Sequence, residues 1–341
     1  MPAATLKTLI AKVADSKALS EDEMRTALEI MTEGHATPAQ MGAFLMALRV
    51  RGETVEELIG ATQMMRARMR RVSVPDGAVD IVGTGGDHHG TFNVSTGASL
   101  VAAGAGLKIA KHGSRSVSSL AGASDVLSAL GIKLDVPNAI IEQSVAEAGI
   151  GFMFAPNHHP AMKNWAPVRA ELGVRTIFNL LGPMANPAGV KRQLLGVYSW
   201  HWVEPVAHVL AKLGAEHVWV VHGHDGMDEL TTTGSTEIAE VKNGKVTVFE
   251  ITPQDAGLPP AKLSDLKGGD ATTNANAIRR LLDGEKGAFR DIVLLNTAAA
   301  LIVGGKADNL VDGVAGATAS IDSGAAKGAL AKLIAVTNSA G

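Results

Sequence analysis

The chain has 341 residues, 46% of them hydrophobic and 19% charged, a balance that allows a large buried core and excludes an intrinsically disordered protein. With 31 Lys and Arg against 34 Asp and Glu the net charge is -3, so no global field recruits nucleic acid or an anionic membrane, and any anion site must be local. Cysteine is absent, which removes disulfides and thiolate metal sites.

The N-terminal stretch Met1–Ala14 is broken by Lys7 and Lys12 and lacks the apolar core of a signal peptide, so a soluble, cytoplasmic protein is expected. Leu6, Leu9, Ile10 and Val13 share one helical face. Ser20-Glu21-Asp22-Glu23 reads as an N-cap with an acidic first turn. Thr37-Pro38 opens a helix over 39–50, and Thr54 with Glu57 forms a capping box for another. No strand pattern precedes residue 70. Residues 1–71 are therefore read as a small helical domain, with Val72–Pro75 as the linker out of it.

The pattern then changes. Val79–Val82 predicts a short strand, followed by a glycine-rich loop and the small-residue helix Val94–Ala105. Further strands are expected at Leu107–Ala110, Gly151–Phe154, Leu194–Tyr198 and His217–Val221. The alternation predicts a large α/β domain over 76–160 and 182–341, with a central, mainly parallel sheet flanked by helices. A helical interruption at Ala161–Leu181 is expected to rejoin the helical domain. Asn243-Gly244 between two polar-apolar runs signals a hairpin. Ile292–Val303 contains Asn296 and Thr297 and falls short of the roughly 20 apolar residues of a membrane span, so it is read as a buried helix. From Asn274 onward the chain is Ala-rich, helical and poor in chemistry.

Three constellations carry chemistry. Gly83-Thr84-Gly85-Gly86-Asp87 follows a strand, an arrangement that presents backbone N–H groups and a helix N-terminus to phosphate. An isolated Gly-x-Gly-Gly is more often only a tight turn, but Thr91, Asn93, Ser95 and Thr96 crowd further donors onto this loop. It is neither a dinucleotide fingerprint nor a Walker A loop, since G-x-G-x-x-G and Gly-Lys-Ser/Thr are both missing. Lys111 to Ser119 then packs Lys111, His112, Arg115 and four serines after a strand, where open α/β sheets bind ligands. Charge-assisted bonds from one Lys and one Arg can dominate a phosphate site. Third, Asp225-Gly226-Met227-Asp228-Glu229 follows the strand at 217–221 and offers carboxylates suited to Mg2+ shared with substrate phosphates. His158-His159-Pro160 has no third ligand at metal spacing and is read as packing. Arg169 and Arg175 are taken to flank a helix ending in the Gly182-Pro183 turn, either reaching the cleft or pairing with the helical domain.

Together, Asp80 to Asp87, Phe92-Asn93-Val94-Ser95-Thr96, Lys111-His112-Gly113 through Ser119, Gly182-Pro183 with Asn186-Pro187, and Gly226 to Leu230 closely resemble anthranilate phosphoribosyltransferases, essentially end to end. The resemblance implies transfer of the 5-phosphoribosyl group of phosphoribosyl pyrophosphate (PRPP) to the amino group of anthranilate, a Mg2+-dependent step of tryptophan biosynthesis, by a homodimer contacting through its helical domains. It further implies that Gly83, Gly86, Asp87, Thr91, Asn93, Val94, Ser95, Thr96, Ala123 and Lys111, His112, Gly113, Ser114, Arg115, Ser116, Val117, Ser118 and Ser119 hold PRPP. Lys111 and Arg115 would be the catalytic cations on the leaving pyrophosphate. Gly83, His112, Ser114 and Arg169 would meet anthranilate, and Ser95, Asp228 and Glu229 would bind Mg2+, with two ions per subunit.

The sequence departs from the family at three motif positions. Ser114 stands where Asn is usual and is expected to weaken acceptor binding; His88 replaces a Gly, and Ala123 a small hydroxyl residue. Two other readings remain open at this point. A pyrimidine-nucleoside phosphorylase of the same fold would use free phosphate and need little from Asp228 and Glu229. A non-catalytic relative would bind nucleic acid through a basic groove, which the net charge of -3 disfavours.

Overall fold

The computed structural model describes residues 5–86, 89–114 and 121–339. The chain opens with helices Leu6–Ala14, Glu21–Thr32, Pro38–Arg51 and Val55–Arg68. Each begins on a Thr or Ser whose hydroxyl accepts the N–H three residues on, with Thr8, Glu23, Gln40 or Glu57 closing the box. Glu57 does more than cap. It is fully buried, accepts Leu19 N–H at 2.8 Å, and pairs with Arg51, so one carboxylate joins three segments of the bundle. Gly60 lets the fourth helix cross the second closely, since a Cβ there would lie 2.3 Å from Glu21 O.

The described residues then form a seven-stranded sheet. Its strands are β1 (Val79–Gly83), β2 (Ile109–Gly113), β3 (Ile150–Phe154), β4 (Arg192–Gly196), β5 (His217–Gly223), β6 (Thr236–Lys242) and β7 (Lys245–Ile251). The order is β3-β2-β1-β4-β5-β6-β7, parallel from β3 to β5 and antiparallel at the β6–β7 edge. The hairpin between β6 and β7 turns on Asn243 and Gly244, both at positive φ (52° and 75°), as a tight two-residue loop requires.

Two of the predicted strands start two residues away from their expected positions. The strand expected at 107–110 runs over Ile109–Gly113, and that expected at 194–198 over Arg192–Gly196. The first shift has a consequence: Lys111 and His112 belong to the buried strand and not to the loop after it. Charged and aromatic polar side chains there look like loop residues in sequence, because burial of a lysine is rare without partners.

One sheet face is covered by Val94–Gly104 and the C-terminal helices Ala271–Leu282, Ala288–Val303, Leu310–Asp322 and Ala325–Ser339. Val94–Gly104 is buried nearly all round, which explains its small residues. A Cβ on Gly104 would meet Ser320 Oγ at 2.3 Å and Ala326 N at 2.5 Å. The helix Ala288–Val303 is buried along most of its length, as its apolar run predicts. The other face packs on Val203–Lys212 and, through it, on the N-terminal helices.

The interruption at 161–181 consists of a 3-10 turn over Pro160–Asn164 and the helices Ala166–Leu172 and Phe178–Met184. Trp165, Val168, Ile177 and Phe178 join the core of the N-terminal bundle, with the Trp165 and Phe178 rings 4.2 Å apart. Gly182 and Pro183 are not a turn after this helix but its last residues before Met184.

Candidate active site

The sheet order reverses between β1 and β4, whose last residues Gly83 and Gly196 are paired in register. Ligands of open α/β sheets bind outside the carboxyl ends of strands at such a point. The turn after β5 folds back over it. A Cβ on Gly196 would lie 1.6 Å from the Asp228 carbonyl oxygen, and one on Gly83 would lie 2.3 Å from Asp228 Oδ2. The two glycines are thus the floor on which Asp228 rests. Asp228 Oδ2 accepts the Gly85 N–H at 2.6 Å, joining the acidic turn to the glycine turn. Gly85 and Gly86 take φ of 66° and 81°, a conformation that favours glycine.

The acidic run is divided by the fold. Asp228 and Glu229 face the cavity, whereas Asp225 accepts the Thr231 and Thr233 hydroxyls and the Met227 N–H. Asn296, on the buried helix, clamps both backbone groups of Leu230, accepting from its N–H at 3.0 Å and donating to its carbonyl at 2.8 Å.

Strand residues alternate sides, so Lys111 and His112 point to opposite faces of the sheet. Lys111 Nζ donates to Ile81 O at 2.5 Å and to Ser95 Oγ at 3.3 Å. Burial pushes its pKa down, and the Asp80 and Glu229 carboxylates oppose that shift. Asp80 is fully buried behind it, accepting the His112 N–H at 3.2 Å and an N–H of Asn186 at 2.7 Å. Burial raises the Asp80 carboxyl to about 6, against the pull of Lys111. Asn186 also donates to Ala110 O at 2.9 Å, which gives the Asn186-Pro187 motif its structural reason. On the opposite face the His112 ring lies 5.1 Å from that of His159. Burial holds both imidazoles below their usual pKa, His159 at about 4, so they are neutral near pH 7.

A cavity of about 870 Å3 opens at this edge and extends to the helical bundle. The structure brings to it Gly83, Gly86, Thr91, Asn93, Ser95, Lys111, His112, Gly113, Ser114, Ala123, Arg169, Asp228 and Glu229. Val94 and Thr96 are buried beside it and do not line it. Asp87, His88, Arg115, Ser116, Val117, Ser118 and Ser119 lie outside the described residues. Arg169 projects from Ala166–Leu172, its guanidinium 5.2 Å from the Phe178 ring centre. Arg175 is not in the lining. It donates to Gly86 O and stacks 4.4 Å over the Tyr198 ring, bracing the glycine loop from behind.

Sequence reasoning missed several lining residues. Arg70, Asn157, Lys163 and Asn179 reach the cavity from four separate segments, and no local spacing marks them. His159, read as a packing residue, also lines it.

A cavity at the switch point of a parallel sheet, bordered by a helical bundle and combining a glycine loop with carboxylates, suits a phosphate-bearing ligand held with a divalent cation. Residues 75–327 match the family described as "Glycosyl transferase family, a/b domain", and residues 7–69 its "helical bundle domain". The chain is 61% identical, over 97% of both chains, to the anthranilate phosphoribosyltransferase of Parvibaculum lavamentivorans. It superposes on that of Thermus thermophilus with a TM-score of 0.91 at 42% identity, covering 96% of this chain and 99% of that one. The Saccharomyces cerevisiae enzyme in complex with PRPP and Mg aligns with a TM-score of 0.89 at 30% identity over 99% of each chain. The same yeast enzyme has also been solved in complex with 4-fluoroanthranilate. The chain belongs to the anthranilate phosphoribosyltransferase family.

Proposed function

We propose that this protein transfers the 5-phosphoribosyl group of PRPP to the amino group of anthranilate, a step of tryptophan biosynthesis, in the cavity between sheet and bundle. The observation that carries the reading is the seat of Asp228 on Gly83, Gly85 and Gly196, which places carboxylates, phosphate-loop N–H groups and Lys111 around one space. Gly83, Gly86, Thr91, Asn93 and Ser95 face the phosphoribosyl group, with Val94 and Thr96 packing behind them. Asp87 and Arg115–Ser119 belong to the same proposal on sequence grounds.

The bond that breaks joins ribose C1 to pyrophosphate, the bond that forms joins C1 to the anthranilate nitrogen, and that nitrogen then sheds one proton to solvent. Charge grows on the departing pyrophosphate. Lys111 answers it from a fixed position, because Ile81 O and Ser95 Oγ hold its ammonium and little reorganisation remains. Arg169 and Ser114 bind the acceptor, Arg169 through the carboxylate, with Gly83 and His112 completing that side. His112 and His159, kept neutral by burial, add no positive charge that would compete for the carboxylate.

Among the described residues no three or more His, Cys, Asp or Glu side chains cluster to enclose a metal. A sparse set of hard oxygens is instead what Mg2+ uses when phosphates complete its shell. Ser95, Asp228 and Glu229 fit it, since all three line the cavity beside the glycine loop. Bound there, two Mg2+ per subunit would neutralise charge on the pyrophosphate.

The domain division that goes with this reading is a helical domain of residues 1–71 completed within 161–181, and an α/β domain of 76–160 and 182–341. A homodimer through the helical domains, acting in the cytoplasm, completes it. No helix among the described residues is long and apolar enough to cross a membrane. The test is the loss of anthranilate fluorescence on adding PRPP and Mg2+. Turnover that stops with chelator is expected; phosphorolysis of thymidine unaffected by chelator would overturn the reading.

A further inference from the structure

The C-terminal third of the chain reads as poor in chemistry, yet it sends one buried polar side chain to the phosphate loop. Asn274 lies in the first turns of Ala271–Leu282 and is 2% exposed. Its amide can sit only one way round. The backbone N–H of Gly269 donates to Asn274 Oδ1 at 2.8 Å, and Asn274 Nδ2 donates back to Gly269 O at 3.2 Å. A backbone N–H can only donate and a carbonyl can only accept, so the two ends of the Asn274 amide are fixed. Nδ2 then has one remaining direction, and it donates to Asn93 Oδ1 at 2.8 Å.

That contact fixes Asn93 in turn. With its oxygen engaged, Asn93 has its Nδ2 left for other partners, at 3.5 Å from Ala121 O, the outer limit of a hydrogen bond. Such a bond exchanges readily for a phosphate or ribose oxygen. Were Asn93 turned over, a carbonyl dipole would replace that donor. The strap that carries Asn274 is itself tied to the phosphate loop. Phe92 N–H donates to Leu266 O at 3.0 Å, and Gly268 N–H to Gly90 O at 2.9 Å. No side chain fits at Gly268, where a Cβ would lie 2.6 Å from Thr91 O and 2.7 Å from Asn274 Oδ1.

We propose that Asn274 is a positioning residue that sets the amide orientation of Asn93, so that its NH2 group and not its oxygen is presented to PRPP. This rests on the reading of the cavity as the PRPP site. Asn274 does not touch the substrate; it acts by the donor–acceptor logic of the Gly269–Asn274–Asn93 chain.

The test compares N274D with N274A. The aspartate variant keeps the acceptor for Gly269 N–H but offers Asn93 only oxygen, so Asn93 must turn its NH2 away from the cavity. The alanine variant leaves Asn93 free to choose. The expected KM for PRPP therefore rises about 10- to 100-fold in N274D and only about 3-fold in N274A. The KM for anthranilate stays within about twofold in both, on the scale of less than one neutral hydrogen bond. A residue that merely supports the strap gives the opposite order, with N274A at least as impaired as N274D, and that result overturns the proposal. So does an N274D defect of undiminished size in an N93A background, which would show that the new carboxylate acts on PRPP directly and not through Asn93. Failure of the wild-type protein to bind PRPP would refute the PRPP reading itself; saturable wild-type binding with equal variants isolates the failure to Asn274.

Discussion

Asp228 reaches from the turn after β5 to accept the Gly85 N–H at 2.6 Å, so the acidic turn and the glycine turn form one unit although 143 residues separate them. The bond persists only while β1 and β4 end in residues without a side chain, because Asp228 packs directly on Gly83 and Gly196.

Gly196→Ala is expected to be the most damaging single methyl in the fold. The added Cβ would fall 1.6 Å from a backbone oxygen, which cannot rotate away. Overpacking of this kind costs roughly 1–3 kcal/mol, and a displacement of about 1 Å in a reacting group costs roughly 100-fold in rate. Gly328→Ala is the control, since its Cβ meets nothing within 4 Å on the helix Ala325–Ser339. Denaturation and turnover of both variants check the contrast; equal effects would count against the seat of Asp228.

Asp228→Asn combined with Glu229→Gln should abolish most Mg2+-dependent turnover, by about 100- to 1000-fold, on the scale of losing one electrostatic contact in a transition state. The amide introduced by D228N retains an oxygen for the Gly85 N–H, so the fold should survive. Circular dichroism establishes the fold and a Mg2+ titration of the rate reads the function. Near-normal turnover would refute the metal assignment.

Ser114→Asn should lower the KM for anthranilate by up to about tenfold, the value of one neutral hydrogen bond. Ser114 lines the cavity just beyond β2, and its hydroxyl reaches less far than an amide would. A raised or unchanged KM, measured with PRPP saturating, would remove the reason for regarding Ser114 as a weak acceptor contact.

His159 gives the stability a defined pH dependence. Its folded pKa of about 4 lies below the unfolded value of 6.5, so the unfolded chain binds more protons between them. Stability is fully present above about pH 6.5 and is lost as pH falls towards 4, by at most about 3 kcal/mol. The buried His112 and His158 shift in the same direction. Urea denaturation at pH 7.5 and 5 should show the loss, and His159→Phe should flatten it. An unchanged slope in that variant would show that the charge is borne elsewhere.

The helical bundle was legible because its signals are local. Ser20 with Glu23 and Thr54 with Glu57 close their boxes within one turn of helix, and Asn243-Gly244 contains the whole conformational demand of its hairpin. The glycine loop and the acidic turn were legible as candidate chemistry for the same reason: each concentrates its groups within a few residues. Strand limits were less so. Lys111 and His112 carry polar side chains that read as loop, and only their pairing with Phe152 and Met153 of β3 shows them to be strand.

By itself the sequence determined the α/β class and the helical N-terminal region, and it supplied the residue types proposed to meet phosphate and Mg2+, because those depend on hydrophobic period and short-range spacing. The family resemblance already singled out Asp228 and Arg169, but only the tertiary structure shows that Asp225 turns away to Thr231 and Thr233, that Arg175 braces Gly86 from outside the cavity, and that Asn274 and Asn296 hold the loops. These assignments rest on contacts between segments remote in the chain. Which donor meets which acceptor across such distances is set by the sheet order and by the close approach its glycines permit, and no local pattern records it.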